Sequence, residues 1–218
     1  MLRLALHIPH YDVIKNIIFD FGGVICDIDI RRTEEKFRDF GPAKQAGNLS
    51  KDKQSLQFDK LVGALETGNL SPQEFRGIIK NHYRKALSDE EIDDAWNALL
   101  LGIPGERIRL LEAVRKSYRI FLLSNTNEIH YRHYLKELQE FGYTDFDQLF
   151  EKAYFSFRVR LRKPGQEIFQ HVLADRQLVP GETLFIDDTL QHVESACTAG
   201  IHGYHLKPGE KLPSLFTR

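Results

Sequence analysis

Two patterns of apolar residues alternate along this chain. Short, largely apolar runs occupy 13–19, 118–123, 153–157 and 183–186, and a last strand is expected over the more mixed 201–206. Such runs suit strands covered on both faces. Between the later ones, apolar residues recur every three to four positions over 106–117, 128–141, 164–174 and 190–199. That spacing predicts helices with one buried stripe. Gly142 and Gly200 close two of them. Alternating strand and helix predicts an α/β fold, a doubly wound parallel sheet with helices on both faces.

The alternation breaks once. From Arg31 to about Leu101 the strand signal vanishes. Helices are predicted over 33–40 and 56–65, and after two capping boxes, Ser71-Pro72-Gln73-Glu74 and Ser88-Asp89-Glu90-Glu91. Ile92, Trp96, Leu99 and Leu100 share one face of the last helix. Residues 33–101 are therefore expected to be an inserted all-helical cap, with 1–32 and 102–218 forming the core. Residues 24–30 read as a short hairpin, the segment up to about Asp52 as irregular, and 1–12 as an extension without regular structure.

Composition narrows the function classes. The 218 residues are 42% hydrophobic and 28% charged, with a net charge of −1, so no global field recruits nucleic acid or an anionic membrane. No apolar run reaches the ~18 residues of a membrane span, and the first ten residues lack the pattern of a secretory signal. Two cysteines, Cys26 and Cys197, are too few for a disulfide framework and point to a reducing compartment, the cytoplasm. Oligomeric state has no signature in the chain.

Chemistry gathers where apolar runs end. The first run stops at Asp20 and turns through Gly22-Gly23. The second ends at Ser124-Asn125, the fourth at Asp187-Asp188, and Lys163 follows the basic loop 158–163. In an open parallel sheet these ends face one crevice. Converging carboxylates repel by roughly 4 kcal/mol at ~4 Å and an effective dielectric of ~20. A retained proton or a cation must relieve that, and hard oxygen ligands suit Mg²⁺. Ser124 and Asn125 precede a helix, where backbone N–H groups hold anions, and Lys163 adds a point charge. Together these groups predict a phosphoryl clamp with Asp20 placed as nucleophile.

The pattern Phe19-Asp20-x-Gly22-Gly23-Val24, then Leu123-Ser124-Asn125-Thr126, Lys163-Pro164 and Phe185-Ile186-Asp187-Asp188 resembles the haloacid dehalogenase superfamily, over almost the whole chain. Within it the chain is similar to helical-cap, sugar-phosphate phosphatase-like members. The resemblance implies a Mg²⁺-dependent hydrolase acting on a small phosphorylated metabolite. It implies that Asp20 is nucleophile and metal ligand. Gly22 would offer its carbonyl to Mg²⁺, Asp188 would bind the metal directly, and Asp187 would hold a metal-bound water. Ser124 and Asn125 would hold the phosphoryl oxygens, and Lys163 would neutralise Asp20 and the phosphate. Two departures stand out. Gly22 occupies the place where most phosphatases of the superfamily carry a second aspartate as leaving-group acid, with Asp27, Asp29 or water as replacements. Arg160 stands where many relatives have glycine before the Lys-Pro pair.

Other readings of the same residues are a metal-independent 2-haloacid dehalogenase, disfavoured by the Asp187-Asp188 pair, and a weakened member that only binds a phospho-ligand. A receiver-type domain is disfavoured by the motif order. His130 and His133 are expected to be surface residues, Trp96 core, Cys26 a small buried residue, and Arg158, Arg160 and Arg162 a solvated loop.

Overall fold

A computed structural model describes residues 5–6, 13–42 and 51–217, with the backbone alone for 5, 51–56 and 217. In chain order the strands are β1 Ala5–Leu6, β2 Asn16–Phe19, β3 Asp27–Ile28, β4 Leu100–Gly102, β5 Arg119–Ser124, β6 Lys152–Phe155, β7 Thr183–Asp187, β8 His202–His205 and β9 Phe216–Thr217. The helices are α1 Ile30–Asp39, α2 Lys51–Glu66, α3 Pro72–His82, α4 Asp89–Asn97, α5 Gly105–Val114, α6 Glu128–Glu140, α7 Ser156–Val159, α8 Gln166–Arg176 and α9 Leu190–Thr198.

Five strands form the predicted parallel sheet, in the order β6-β5-β2-β7-β8. Successive side chains point to opposite faces, and both faces are covered. Ile17, Phe19, Ile120, Leu122, Leu184 and Ile186 meet α5 and α6 through residues such as Leu111 and Leu138. Ile18, Phe121, Leu123 and Phe185 instead meet Ile168, Phe169 and Val172 of α8 and Ala196 of α9. This two-sided burial explains why β2, β5 and β7 read as largely apolar runs, while the edge strand β8, only partly buried, does not. The chain extends the sheet from β2 to one side through β5 and β6, then to the other through β7 and β8. The carboxyl end of β2 is therefore a switch point, where such sheets leave a crevice.

Helices α1–α4 lie between β3 and β4 and build a separate cluster from Phe37, Leu65, Phe75, Ile79, Ile92 and Trp96, which also takes in Ile129 of α6. Both predicted capping boxes form, at Ser71 with Glu74 and at Ser88 with Glu91. The expected local hairpin does not: Asp27–Ile28 pairs antiparallel with Leu100–Gly102 across the whole insertion. Alternation over 24–30 identified a strand but not its partner. Leu100 accordingly lies in a strand and not on a helix face, since α4 stops at Asn97. The loop expected over 158–163 begins as the short helix α7, which Arg160 ends at φ 58°, the left-handed region that favours glycine. In the expected N-terminal extension, Ala5–Leu6 pairs antiparallel with Phe216–Thr217. Residues 1–4 and 7–12 lie outside the described residues, as do 43–50 of the stretch expected to be irregular; α2 begins at Lys51. Among the described residues no helix is long and apolar enough to cross a membrane.

Candidate active site

The N–H of Asp20 donates to Ile186 O at 2.9 Å, carrying the β2–β7 ladder one residue past the strand. Its carboxylate thus emerges at the carboxyl edge of the sheet. The chain then turns sharply, with Phe21 O accepting from the N–H groups of Ile25 and Cys26, both at 2.8 Å. Gly23 has φ +74°, and a Cβ there would stand 2.0 Å from Asp188 Oδ2. Both the turn and the seat of Asp188 require glycine at this position.

Lys163 is fully buried, and its ammonium lies 2.7 Å from Asp20 Oδ1 and 2.7 Å from Asp187 Oδ2. A buried cation costs several kcal/mol unless carboxylates surround it, so the two acids and the lysine hold one another in place. The lysine backbone is fixed too. Its N–H donates to Asn125 Oδ1 and its carbonyl accepts from Asn125 Nδ2, both at 2.9 Å. Asp187 accepts further hydrogen bonds, from Thr189 N–H at 2.8 Å and from His192 Nδ1 at 3.1 Å. Burial pushes the Asp187 carboxyl up, but Lys163 and His192 together outweigh it and hold it at about 2.

Asp20 behaves differently. Burial, with the neighbouring charge of Asp187, overcomes Lys163 and pushes its carboxyl up to about 7. Asp188 is also raised, first by burial and then by Asp187. Asp20, Asp187 and Asp188 each offer an oxygen, and these atoms all lie within 4.8 Å of one another. One ammonium cannot neutralise three carboxylates, and a cluster of hard oxygen donors short of positive charge fits Mg²⁺.

These groups form the floor of a cavity of about 1090 Å³, where Asp20, Gly22, Ser124, Asn125, Lys163 and Asp188 meet. Its walls come from the helical insertion, with Phe37, Phe58, Leu61, Val62 and Trp96 among them. Ser124 ends β5 and is buried. The free helix start expected beside it is closed: Asn127 caps α6, its Oδ1 accepting from the N–H groups of Ile129 and His130. Asn125 likewise spends much of its side chain on Lys163. Among the seven residues expected at the site, six line this cavity; Asp187 sits beneath it, fully buried.

The candidate replacement acids are engaged elsewhere. Asp27 pairs with Arg107 Nη2 at 2.6 Å, and Asp29 caps α1 while accepting from Nε and Nη2 of Arg31, both at 3.0 Å. His130 is not on the surface. It is buried, stacks on Trp96 at 5.1 Å and contacts Asn97 Oδ1 through Nδ1 at 2.8 Å. Burial holds its imidazole down at about 3, in the neutral form. His133 pairs with Glu137 at 3.2 Å. Cys26 is buried and its thiol pushed up to about 12, first by burial, which leaves it inert. The basic loop is only partly solvated: Arg158 lies 4.1 Å from the Tyr131 ring centroid, and Arg162 contacts Glu66.

Two residues at the site were not singled out from sequence. His192, which holds Asp187, lies in the first turn after the acidic pair, and that position was the available signal. Glu66 ends a helix of the insertion and nothing in the sequence ties it to the crevice.

Comparison with known proteins agrees with this geometry. The family of haloacid dehalogenase-like hydrolases matches residues 14–200. The D-ribitol-5-phosphate phosphatase of Bacteroides thetaiotaomicron is 32% identical over 197 residues, covering 90% of this chain and 94% of that protein. A crystal structure of a HAD family enzyme from the same organism, in complex with magnesium and inorganic phosphate, superposes with a TM-score of 0.81 at 37% identity, over 94% of this chain and 100% of that one. A HAD-like family hydrolase from Porphyromonas gingivalis superposes with a TM-score of 0.78 at 32% identity, over 91% and 93% of the two chains.

Proposed function

This chain belongs to the haloacid dehalogenase-like hydrolases, and we propose that it is a Mg²⁺-dependent phosphatase of a small phosphorylated metabolite, a sugar phosphate by its likeness to the D-ribitol-5-phosphate phosphatase. The observation that carries this reading is the buried Lys163 ammonium joining Asp20 to Asp187 beside Asp188, on the floor of a cavity roofed by the insertion.

Asp20 attacks phosphorus, the bond from phosphorus to the ester oxygen breaks, and an aspartyl phosphate forms. Lys163 opposes the burial that raises Asp20 and offsets phosphoryl charge, and a bound cation would complete the ionisation of Asp20. The Ser124 hydroxyl and the N–H groups of Asn125 not bound to Lys163 hold phosphoryl oxygens. Asp20, the Gly22 carbonyl and Asp188 would hold the metal, and Asp187 completes the acidic set while fixing Lys163. When bound, Mg²⁺ supplies charge neutralisation that lets a carboxylate approach a phosphate. Gly22 provides no acid and Asp27 and Asp29 are held in ion pairs, so the leaving oxygen takes its proton from water. A second water attacks phosphorus, the bond from phosphorus to the Asp20 oxygen breaks, and phosphate is released, the proton given up by this water neutralising the hydroxide left by the first.

Residues 33–101 act as the cap in this reading, with 1–32 and 102–218 as the core. Two free cysteines suit a reducing compartment such as the cytoplasm. The test is phosphate release from a panel of metabolites with Mg²⁺ present. Activity that vanishes in excess chelator and in Asp20→Asn is the expected result. Undiminished activity under either condition contradicts it. A 2-haloacid dehalogenase would instead release halide regardless of chelator, and would leave Asp188 without a role.

A further inference from the structure

Among the polar residues that line the cavity, such as Glu34, Arg38 and His82, one pair of opposite charge joins the insertion to the core next to Lys163. Glu66 is the last residue of α2, and Arg162 immediately precedes Lys163. Arg162 Nη2 lies 2.9 Å from Glu66 Oε2, so the insertion and the core touch here through opposite charges. The contact falls short of hydrogen-bond geometry. Glu66 Oε2 and Arg162 Nε are both buried and neither has a hydrogen-bond partner. Both residues line the cavity together with Asp20 and Ser124.

Buried polar atoms without partners are uncommon in native proteins, and each requires an explanation. Loose packing is not the explanation here. At Gly68, two residues beyond Glu66, a Cβ would lie only 2.4 Å from the carbonyl oxygen of Phe157, so the backbones of insertion and core are in close contact. Burial raises the Glu66 carboxyl, with Arg162, Lys163 and His192 opposing, so Glu66 feels the charge of the catalytic lysine. The neighbouring wall residues Phe37, Phe58, Leu61 and Val62 offer nothing to a polar ligand. A carboxylate accepts from a hydroxyl and a guanidinium donates to one, so together they complement hydroxyl groups.

We propose that Glu66 and Arg162 form a subsite for hydroxyl groups on the organic part of the substrate, beside the ester being cleaved, so that the chain selects polyol phosphates over phosphate esters lacking hydroxyls. This rests on the phosphatase reading and assigns its specificity to two residues from opposite sides of the cavity. A site built to bond a hydroxyl discriminates strongly against an analogue without it, because its buried polar groups are then left unpaired.

The experiment compares kcat/KM for glycerol 3-phosphate and propyl phosphate, esters of equal chain length with and without hydroxyls, in the presence of Mg²⁺. The unmutated chain is expected to prefer the hydroxylated ester. In Glu66→Gln and in Arg162→Gln that preference ratio falls by about tenfold or more, with the loss mainly in KM for the hydroxylated ester. Glu66→Asp, which keeps the charge, retains part of the ratio. A ratio unchanged in both glutamine variants overturns the proposal, whether the two activities fall together, as a purely structural contact requires, or neither moves. Absence of turnover of either ester, and of every ester in a broad panel, by the unmutated chain removes the phosphatase reading and this inference with it.

Discussion

The floor and the walls of the cavity are held in different ways. On the floor, Asp20, Ser124 and Asp187 stand at the ends of three adjacent strands, and each charged group is fixed by others. Lys163 is tied at its ammonium by two carboxylates and at its backbone by the amide of Asn125, while Asp187 is tied in addition by Thr189 and His192. The walls are side chains of α1–α4, held by apolar packing around Phe75 and Trp96. Directional bonds in a buried setting tolerate little change, because a lost partner leaves a buried charge exposed to its full desolvation cost. Apolar packing tolerates substitution of similar volume. In the proposed function the reaction stays on the floor while the walls select what is cleaved.

Substitutions should separate the two regions. The largest effect is expected for Asp20→Asn, which preserves shape but removes the proposed nucleophile. Phosphate release should fall by roughly 10⁴-fold or more, with the circular dichroism spectrum retained. Lys163→Met leaves Asp20 and Asp187 buried without their cation, which is expected to cost about 3–5 kcal/mol of stability and abolish turnover. Denaturant unfolding at pH 7 measures the first effect, and an unchanged midpoint would mean that the buried pairs are not what holds the floor. Asn125→Ala removes both bonds to the Lys163 backbone. Its expected cost is about 1–3 kcal/mol, with a fall in kcat larger than any change in KM.

Protonation gives a subtler test. In the metal-free protein Asp20 keeps its proton up to about 7, against 3.8 when unperturbed. Between these values the folded state binds more protons than the unfolded one, so stability falls as pH rises through that window. Asp187 works in the opposite sense: its contribution is present above 3.8 and lost as pH falls through about 2. Mg²⁺ binds the ionised floor, so a fixed concentration should raise Tm more at pH 8 than at pH 5. At a hundred times its Kd the stabilisation is about 2.7 kcal/mol. Equal shifts at both pH values would contradict the assignment of the floor as the metal site. The smallest effect is expected on the wall. Phe58 is half exposed, and Phe58→Ala should alter stability by no more than about 1 kcal/mol while changing KM by a few fold and leaving kcat in place. A collapse of kcat there would blur the distinction between floor and wall.

How much of this was legible in the sequence follows the same division. The floor was readable because strand ends are marked locally: an apolar run, then Asp20, Ser124 or Asp187-Asp188. The capping boxes that open α3 and α4 were readable for the same reason, as each closes within four residues. What escaped depends on partners far away in the chain. Leu100–Gly102 is a strand only because Asp27–Ile28 lies across from it. Asn125 was expected beside the phosphate and lines the cavity, but the two bonds of its amide to the Lys163 backbone join it to a residue 38 positions away and were not visible. His130 and His133 share a helical spacing with no third ligand near in the sequence and so read as surface residues, but the insertion lays Trp96 over the His130 ring. Glu66 gives no sign of its position until α2 is docked beside the Lys163 loop. A helical face is visible in a sequence; the surface it will meet is not.

The account rests on Asp20 carrying the phosphoryl group. Acid-quenching the protein during turnover with Mg²⁺ and a hydrolysed ester, followed by mass spectrometry of its peptides, tests that most directly. The peptide containing Asp20 should carry a phosphoryl adduct that is absent in Asp20→Asn. A phosphoryl group found on another residue, or phosphate release continuing at full rate in Asp20→Asn, would contradict it.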